Sequence, residues 1–414
     1  MVKVNRKVLP NGLRVLHVPD EESQMVYVNL LYGVGSRDEE FEHTGLAHLL
    51  EHLMFEGTKA VPSFDEPLES AGGENNAYTN NDVTNYYISL PGQNAELAFW
   101  MESDRMCNIT FGKEKVDVQR QVVMEEFKQT TLNRPYGDVS MILRAMAYKK
   151  HPYRWSTIGR KLSHIADVPV QVIRSFYKRY YAPDNAVLAV VGNISFEQVV
   201  EWSEKWFGHI PAKGFKRPER PVEPRQVRQR RKTVHRNVPE DALYLGFHMG
   251  GRLSPDYYPC DVISDVLSNG YSGRLLLRLV KEQKLFSKID AFISGSEDAG
   301  MFWIYSRVAP GVDIKDAEAA VWRELEELKS VPVPQDEMEK VRNRFESEYT
   351  FRNLGGENLS NNIALAELRG SLESHLDEPE MYRAVTAEDV RLAARELFRK
   401  GNSVVLHYMK NGQA

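Results

Sequence analysis

Two stretches more than two hundred residues apart repeat one pattern, and this echo constrains the fold more than any other feature. Val172-Ile173 leads, through a helical stretch, to Asn185-Ala186-Val187-Leu188-Ala189. Val390-Arg391 leads in the same way to Asn402-Ser403-Val404-Val405-Leu406. A helix running into a short apolar strand, met once in each half of 414 residues, predicts two copies of one α/β unit. The length agrees, since a chain this long outgrows a single core. A proline-rich stretch dense in Lys and Arg, 211–236, separates the halves and reads as a linker. The expected organisation is therefore a first domain over 1–210 and a homologous second domain over 237–414.

The halves differ in one place. Thr44–Gly57 reads as a helix, with Thr44 as its N-cap and Gly57 as its stop. Leu46, Leu49, Leu50 and Leu53 make its apolar face. On the other side His48 and His52 lie one turn apart with Glu51 beside them. Two neutral imidazoles at that spacing suit zinc, and an adjacent carboxylate can take a proton from water at the metal. The order His-x-x-Glu-His is the inverse of the commoner zinc-peptidase motif. The second half has no such motif.

A site of this kind needs a third ligand. In the predicted helix 113–131, Gln119, Val122, Val123 and Glu126 share one face, while Glu125 points elsewhere. A carboxylate on a core-facing stripe is costly unless it is paired or bound to metal, which makes Glu126 the candidate. Between the two helices a hairpin is expected, from Glu74–Thr79 to Thr84–Leu90. Its first arm, Glu74-Asn75-Asn76-Ala77-Tyr78-Thr79, is rich in amides and suits a sheet edge, where free backbone groups can pair with an extended peptide.

These residues resemble the pitrilysin family of zinc metallopeptidases, in its short two-domain branch with the beta subunit of mitochondrial processing peptidase and bacterial relatives. The resemblance implies an α+β fold: two homologous domains, each a mostly antiparallel sheet packed with helices, facing each other across a cavity. It implies that His48, His52 and Glu126 bind Zn2+, with Glu126 rather than Glu125 matching the family's distal ligand. Glu51 is then the general base. Gly72-Gly73-Glu74-Asn75-Asn76-Ala77-Tyr78-Thr79 resembles the family's substrate-pairing strand, which assigns Asn76, Ala77 and Tyr78 to peptide binding. Gln119 stands where the family usually has a second Glu, supporting a ligand without adding charge. Active single-chain relatives also carry an Arg and, seven residues later, a Tyr in the second domain. Val280 and Ser287 match those positions here. The implied partner is a paralogous subunit that supplies the Arg and Tyr in a heterodimer; the alternative is a scaffold that has lost the chemistry.

The remaining composition is that of a globular chain with a formal net charge of −5, which favours neither nucleic acid nor a membrane surface. Neither a signal peptide nor a membrane-spanning run is visible, and Cys107 and Cys260 make no disulfide framework. A cytoplasmic, reducing location is the expectation.

Overall fold

The computed structural model describes residues 3–411. Its first sheet has the order β1-β2-β6-β3-β5-β4, built from β1 (Asn5–Val8), β2 (Arg14–Pro19), β3 (Met25–Tyr32), β4 (Glu74–Thr79), β5 (Thr84–Pro91) and β6 (Ala186–Gly192). The second has the order β7-β11-β8-β10-β9, from β7 (Arg230–Arg236), β8 (Ala242–His248), β9 (Phe286–Ile293), β10 (Met301–Val308) and β11 (Ser403–Lys410). β2 pairs parallel with β6, and β7 pairs parallel with β11; every other pairing in the two sheets is antiparallel. Strand for strand, β2-β6-β3-β5-β4 is repeated by β7-β11-β8-β10-β9, as the echo predicts. β1 is an addition to the first sheet alone.

The echo has a local cause. Helix Val170–Tyr180 leads into β6, and helix Ala387–Leu397 leads into β11. At each junction an asparagine donates its side-chain amide back to the last carbonyl of the helix: Asn185 to Tyr180 at 2.8 Å, and Asn402 to Leu397 at 2.9 Å. Each bond satisfies a carbonyl that a helix end leaves unpaired. β6 is buried along its whole length, which is why its sequence is continuously apolar rather than alternating.

The compact units do not follow the expected contiguous boundaries. One comprises Met1–Thr130, Trp155–Arg220 and Tyr349–Asp377; the other comprises Thr131–Arg154, Pro221–Glu348 and Glu378–Ala414. Two helices change sides. Val139–Ala147 lies between β5 and β6 in sequence, yet Val139, Leu143 and Ala147 pack among Tyr244, Val404 and Leu406 of the second sheet. Gly356–Arg369 lies between β10 and β11, yet Leu359, Ile363 and Ala364 pack among Leu16, Leu31 and Val187 of the first. Gly356 allows the close approach, since a Cβ there would meet the Tyr27 ring at 2.3 Å.

The end of the expected linker is a strand instead. β7 takes up 230–236, and its arginines have structural partners: Arg230 donates to Met146 O at 2.8 Å, at the end of helix Val139–Ala147. Arg231 meets Glu318 of helix Ile314–Ser330 at 2.5 Å, and His407 of β11 reaches the same carboxylate at 2.7 Å. Burial pushes the Glu318 carboxyl up, but Arg231 and His407 outweigh it and bring it down to about 2. A depressed carboxyl contributes stability above its unfolded value of 4.5, and that contribution is lost as pH falls toward 2. Glu318→Gln should therefore cost about 1–2 kcal/mol at pH 7, near the low end of the roughly 1.5–3 kcal/mol of a hydrogen bond to a charged group because Arg231 is half exposed. In urea denaturation the gap between wild type and variant should close between pH 4.5 and 2; a gap unchanged at pH 3 would contradict this account.

Candidate metal centre

The motif helix runs from Leu46 to Leu53, and Leu46, Leu49, Leu50 and Leu53 are all buried, as the spacing predicts. Its start differs from expectation. Gly45, not Thr44, is the N-cap, at φ +89°, and the cap ligand is a carboxylate from the preceding loop. Glu39 accepts from Gly45 N at 3.0 Å and from Ala47 N at 2.8 Å, filling donors that the first turn leaves open. The Thr44 hydroxyl instead accepts from Arg160 N and meets His164 Nδ1, both at 2.9 Å. The helix also stops before Gly57, with Met54 as its C-cap.

His48 and His52 project from this helix with ring centroids 4.8 Å apart and planes nearly perpendicular. Glu126 arrives from the last turn of helix Lys113–Phe127, with Oε2 3.7 Å from His48 Nε2 and 3.6 Å from His52 Nε2. One ligand atom from each of the three lies within 4.8 Å of the other two, and no other such group occurs among the described residues. These separations exceed hydrogen bonds but suit donors sharing an ion. Ligands about 2.0–2.1 Å from a tetrahedral zinc stand roughly 3.4 Å apart.

The electrostatics fit as well. Burial pushes the His48 imidazole down to about 4, so that at neutral pH it is uncharged, the form that can bind a metal. Burial also lowers His52, but the carboxylates of Glu126 and Glu51 outweigh it and hold that ring above its ordinary value. The neighbouring His52 holds Glu126 below the usual carboxylate range. Glu51 is shifted the other way: burial raises its carboxyl, against the lowering influence of the Thr79 hydroxyl and His52. Its Oε2 is enclosed without a hydrogen-bond partner, as is His48 Nδ1. A carboxylate raised in this way is a better proton acceptor than an exposed one.

The third donor sits on a different kind of face from the expected one. Val123 is buried but Val122 is 45% exposed, so the stripe through Gln119, Val122 and Glu126 is partly open rather than core-facing. Glu125 is turned out to Lys128, 3.2 Å away. The Gln119 amide donates to Glu56 Oε1 at 2.5 Å, a partner that spacing alone does not reveal. Gln119→Glu would set two carboxylates at that contact.

β4 forms an edge of the first sheet, with Asn76 opposite Tyr87 and Ala77 opposite Tyr86. Asn76 is exposed, and its Oδ1 accepts from Ala77 N at 2.8 Å. Tyr78 has a structural side chain: its hydroxyl donates to Asn361 on helix Gly356–Arg369 at 2.6 Å, and only its backbone is left for a ligand. In the second unit, helix Tyr257–Ser268 occupies the place after β8 that the motif helix occupies after β3. It carries Asp261 and Asp265 four residues apart and no histidine. Ser287 donates to Glu240 at 3.0 Å, while Arg274 is paired with Glu337 and Arg278 with Glu324 and Glu327.

Comparison with known proteins agrees with this architecture. The sequence model described as Insulinase (Peptidase family M16) matches residues 14–161, and that described as Peptidase M16 inactive domain matches 167–345. Zinc protease PqqE of Helicobacter pylori is 28% identical over 404 residues, covering 96% of this chain and 91% of that protein. An uncharacterised zinc protease of Mycobacterium tuberculosis is 30% identical over 313 residues, covering 74% of this chain and 70% of the relative. The crystal structure of a protease from Helicobacter pylori superimposes with a TM-score of 0.93 at 27% identity, over 99% of this chain and 100% of that one. A Pseudomonas fluorescens structure described as a peptidase M16 inactive domain shares the fold, with a TM-score of 0.89 at 17% identity over 99% and 98% of the two chains. With two sheets that repeat each other and an inverse zinc motif in the first half alone, the chain belongs to peptidase family M16, the pitrilysin family.

Proposed function

We propose that this chain is a zinc-dependent endopeptidase acting on extended or unfolded peptides. The observation that carries the reading is the convergence of His48, His52 and Glu126 beside the enclosed carboxylate of Glu51. His48 Nε2, His52 Nε2 and one Glu126 oxygen would hold the metal. Zinc held there would supply Lewis acidity to the peptide hydrolysis. Glu51 takes the proton from the attacking water and passes it to the leaving amine. Asn76 and Ala77 present the β4 edge, where an incoming peptide can displace the Asn76 side chain from Ala77 N and add as a further strand.

Metal content together with hydrolysis of an unfolded peptide tests this reading. Purified protein should carry about one zinc, lose activity on chelation and regain it when zinc is returned. A second reading, a family scaffold without activity, draws on Val280, Ser287 and the ion-paired Arg274 and Arg278 of the second unit. Zinc-loaded protein that cleaves no peptide under any condition, partner included, would favour the scaffold.

The third ligand has its own test. Glu126→Gln should release zinc far more readily than Glu125→Gln, because Glu125 faces Lys128 and solvent. Equal metal retention in the two purified variants would remove Glu126 from the site.

A further inference from the structure

The second sheet ends on β7, and no strand pairs with its outer edge among the described residues. In the first sheet the corresponding strand is β2, and β1 covers it from Asn5 opposite His17 to Val8 opposite Arg14. A position filled by the chain itself in one sheet is thus open in the other. Most of β7 is exposed, with only Val234 buried. Alongside it, on the face of Arg231, a groove of about 830 Å³ runs against helix Ile314–Ser330. Trp322 and Phe398 supply its apolar lining, while Lys315, Arg323 and Lys400 also line it and are exposed. Glu318 neutralises Arg231 and Glu326 neutralises Lys329, but no such carboxylate pairs with Lys315, Arg323 or Lys400 among the described residues.

We propose that the outer edge of β7 and this groove form a docking site for an extended acidic segment of another protein. Charge decides the occupant. A second copy adding edge to edge would set Arg230 and Lys232 of one β7, which have no carboxylate partner among the described residues, against those of the other, and like charges across a strand pair are destabilising. The same charges discourage an apolar strand, as charged edges generally do. They suit a strand whose backbone pairs with β7, whose carboxylates meet Lys315, Arg323 and Lys400, and whose intervening apolar or aromatic side chain covers Trp322. Strand addition supplies the backbone bonds, and the groove supplies the selectivity. The inference is independent of the metal centre, which lies in the other unit.

The probe is a fluorescein-labelled ten-residue peptide of Asp and Glu alternating with Val and one Trp, titrated into the full-length protein at 0.1 M salt. Mass spectrometry checks that the peptide stays intact. Anisotropy should show binding at least tenfold tighter than for the same peptide with Lys at every acidic position. N-methylation of one alternate set of backbone amides should weaken binding at least tenfold, and methylation of the other set should not. Arg323→Glu with Lys400→Glu should weaken it at least fivefold, and the bound peptide should slow hydrogen exchange in Arg230–Arg236. Equal binding of acidic and basic peptides, indifference to both methylation patterns, or protection at Glu74–Thr79 in place of β7 would each overturn the proposal.

Discussion

Glu51→Gln should lower peptide hydrolysis by roughly 10²–10⁴, the usual contribution of a positioned general base, while leaving the zinc content unchanged. The two halves of this result depend on different features of the site. Retention of zinc is expected because the converging donors come from His48, His52 and Glu126, and Glu51 is outside that set. Loss of turnover is expected because an amide cannot take up the proton of the attacking water, however similar its shape. The substitution should also be gentle on the fold. Burial disfavours the charge of Glu51, and the amide oxygen of a glutamine can still accept from the Thr79 hydroxyl, so a neutral isostere removes a desolvation cost while keeping that contact. Thermal unfolding of the zinc-loaded variant should thus match or exceed wild type. A variant that lost its metal, or that kept most of its activity with zinc bound, would show the carboxylate to be misassigned.

The parts of the fold that follow from local pattern were legible in the sequence. The motif helix, the β4–β5 hairpin and the helix-to-strand echo each rest on contacts within a few residues, as Asn185 and Asn402 illustrate by reaching back five residues to close a helix. Interactions that depend on tertiary placement were not legible. Nothing in the periodicity of Val139–Ala147 tells which sheet it will cover, because Val139, Leu143 and Ala147 would form the same apolar stripe against either one. β7 was hidden for a related reason. Its Arg and Lys residues read as linker, yet an edge strand tolerates charge, and Arg230 and Arg231 find their partners on distant helices. At the candidate metal centre the His pair was visible because helix geometry fixes it. The Glu39 cap and the Gln119–Glu56 contact were not, since each joins residues that the chain brings together only on folding. Val122 shows the limit of face arguments: it shares a stripe with Glu126, and the stripe is half open.

Zinc-loaded protein prepared alone should cleave unfolded peptides slowly, and addition of a paralogous subunit should raise the rate by roughly 10²–10³. That factor is the typical worth of one donor aimed at a developing oxyanion. The reasoning starts from what the second half offers. Val280 has no polar group, and the Ser287 hydroxyl is occupied by Glu240. The nearest arginines in sequence are committed as well: Arg274 is buried against Glu337, and Arg278 is shared between Glu324 and Glu327. Freeing either would leave carboxylates without their cation, which is costly. A candidate metal-ligand set in a chain whose matching second-half positions, Val280 and Ser287, offer neither cation nor phenol is what a division of labour between two subunits would produce, with the partner carrying Arg and Tyr at those positions. Replacing those two residues in the partner should abolish the stimulation without weakening the association of the subunits, which separates assistance to the reaction from simple stabilisation of the fold. An isolated chain that already turns over at a rate no partner improves would refute this division, and the assisting groups would then have to come from this chain itself.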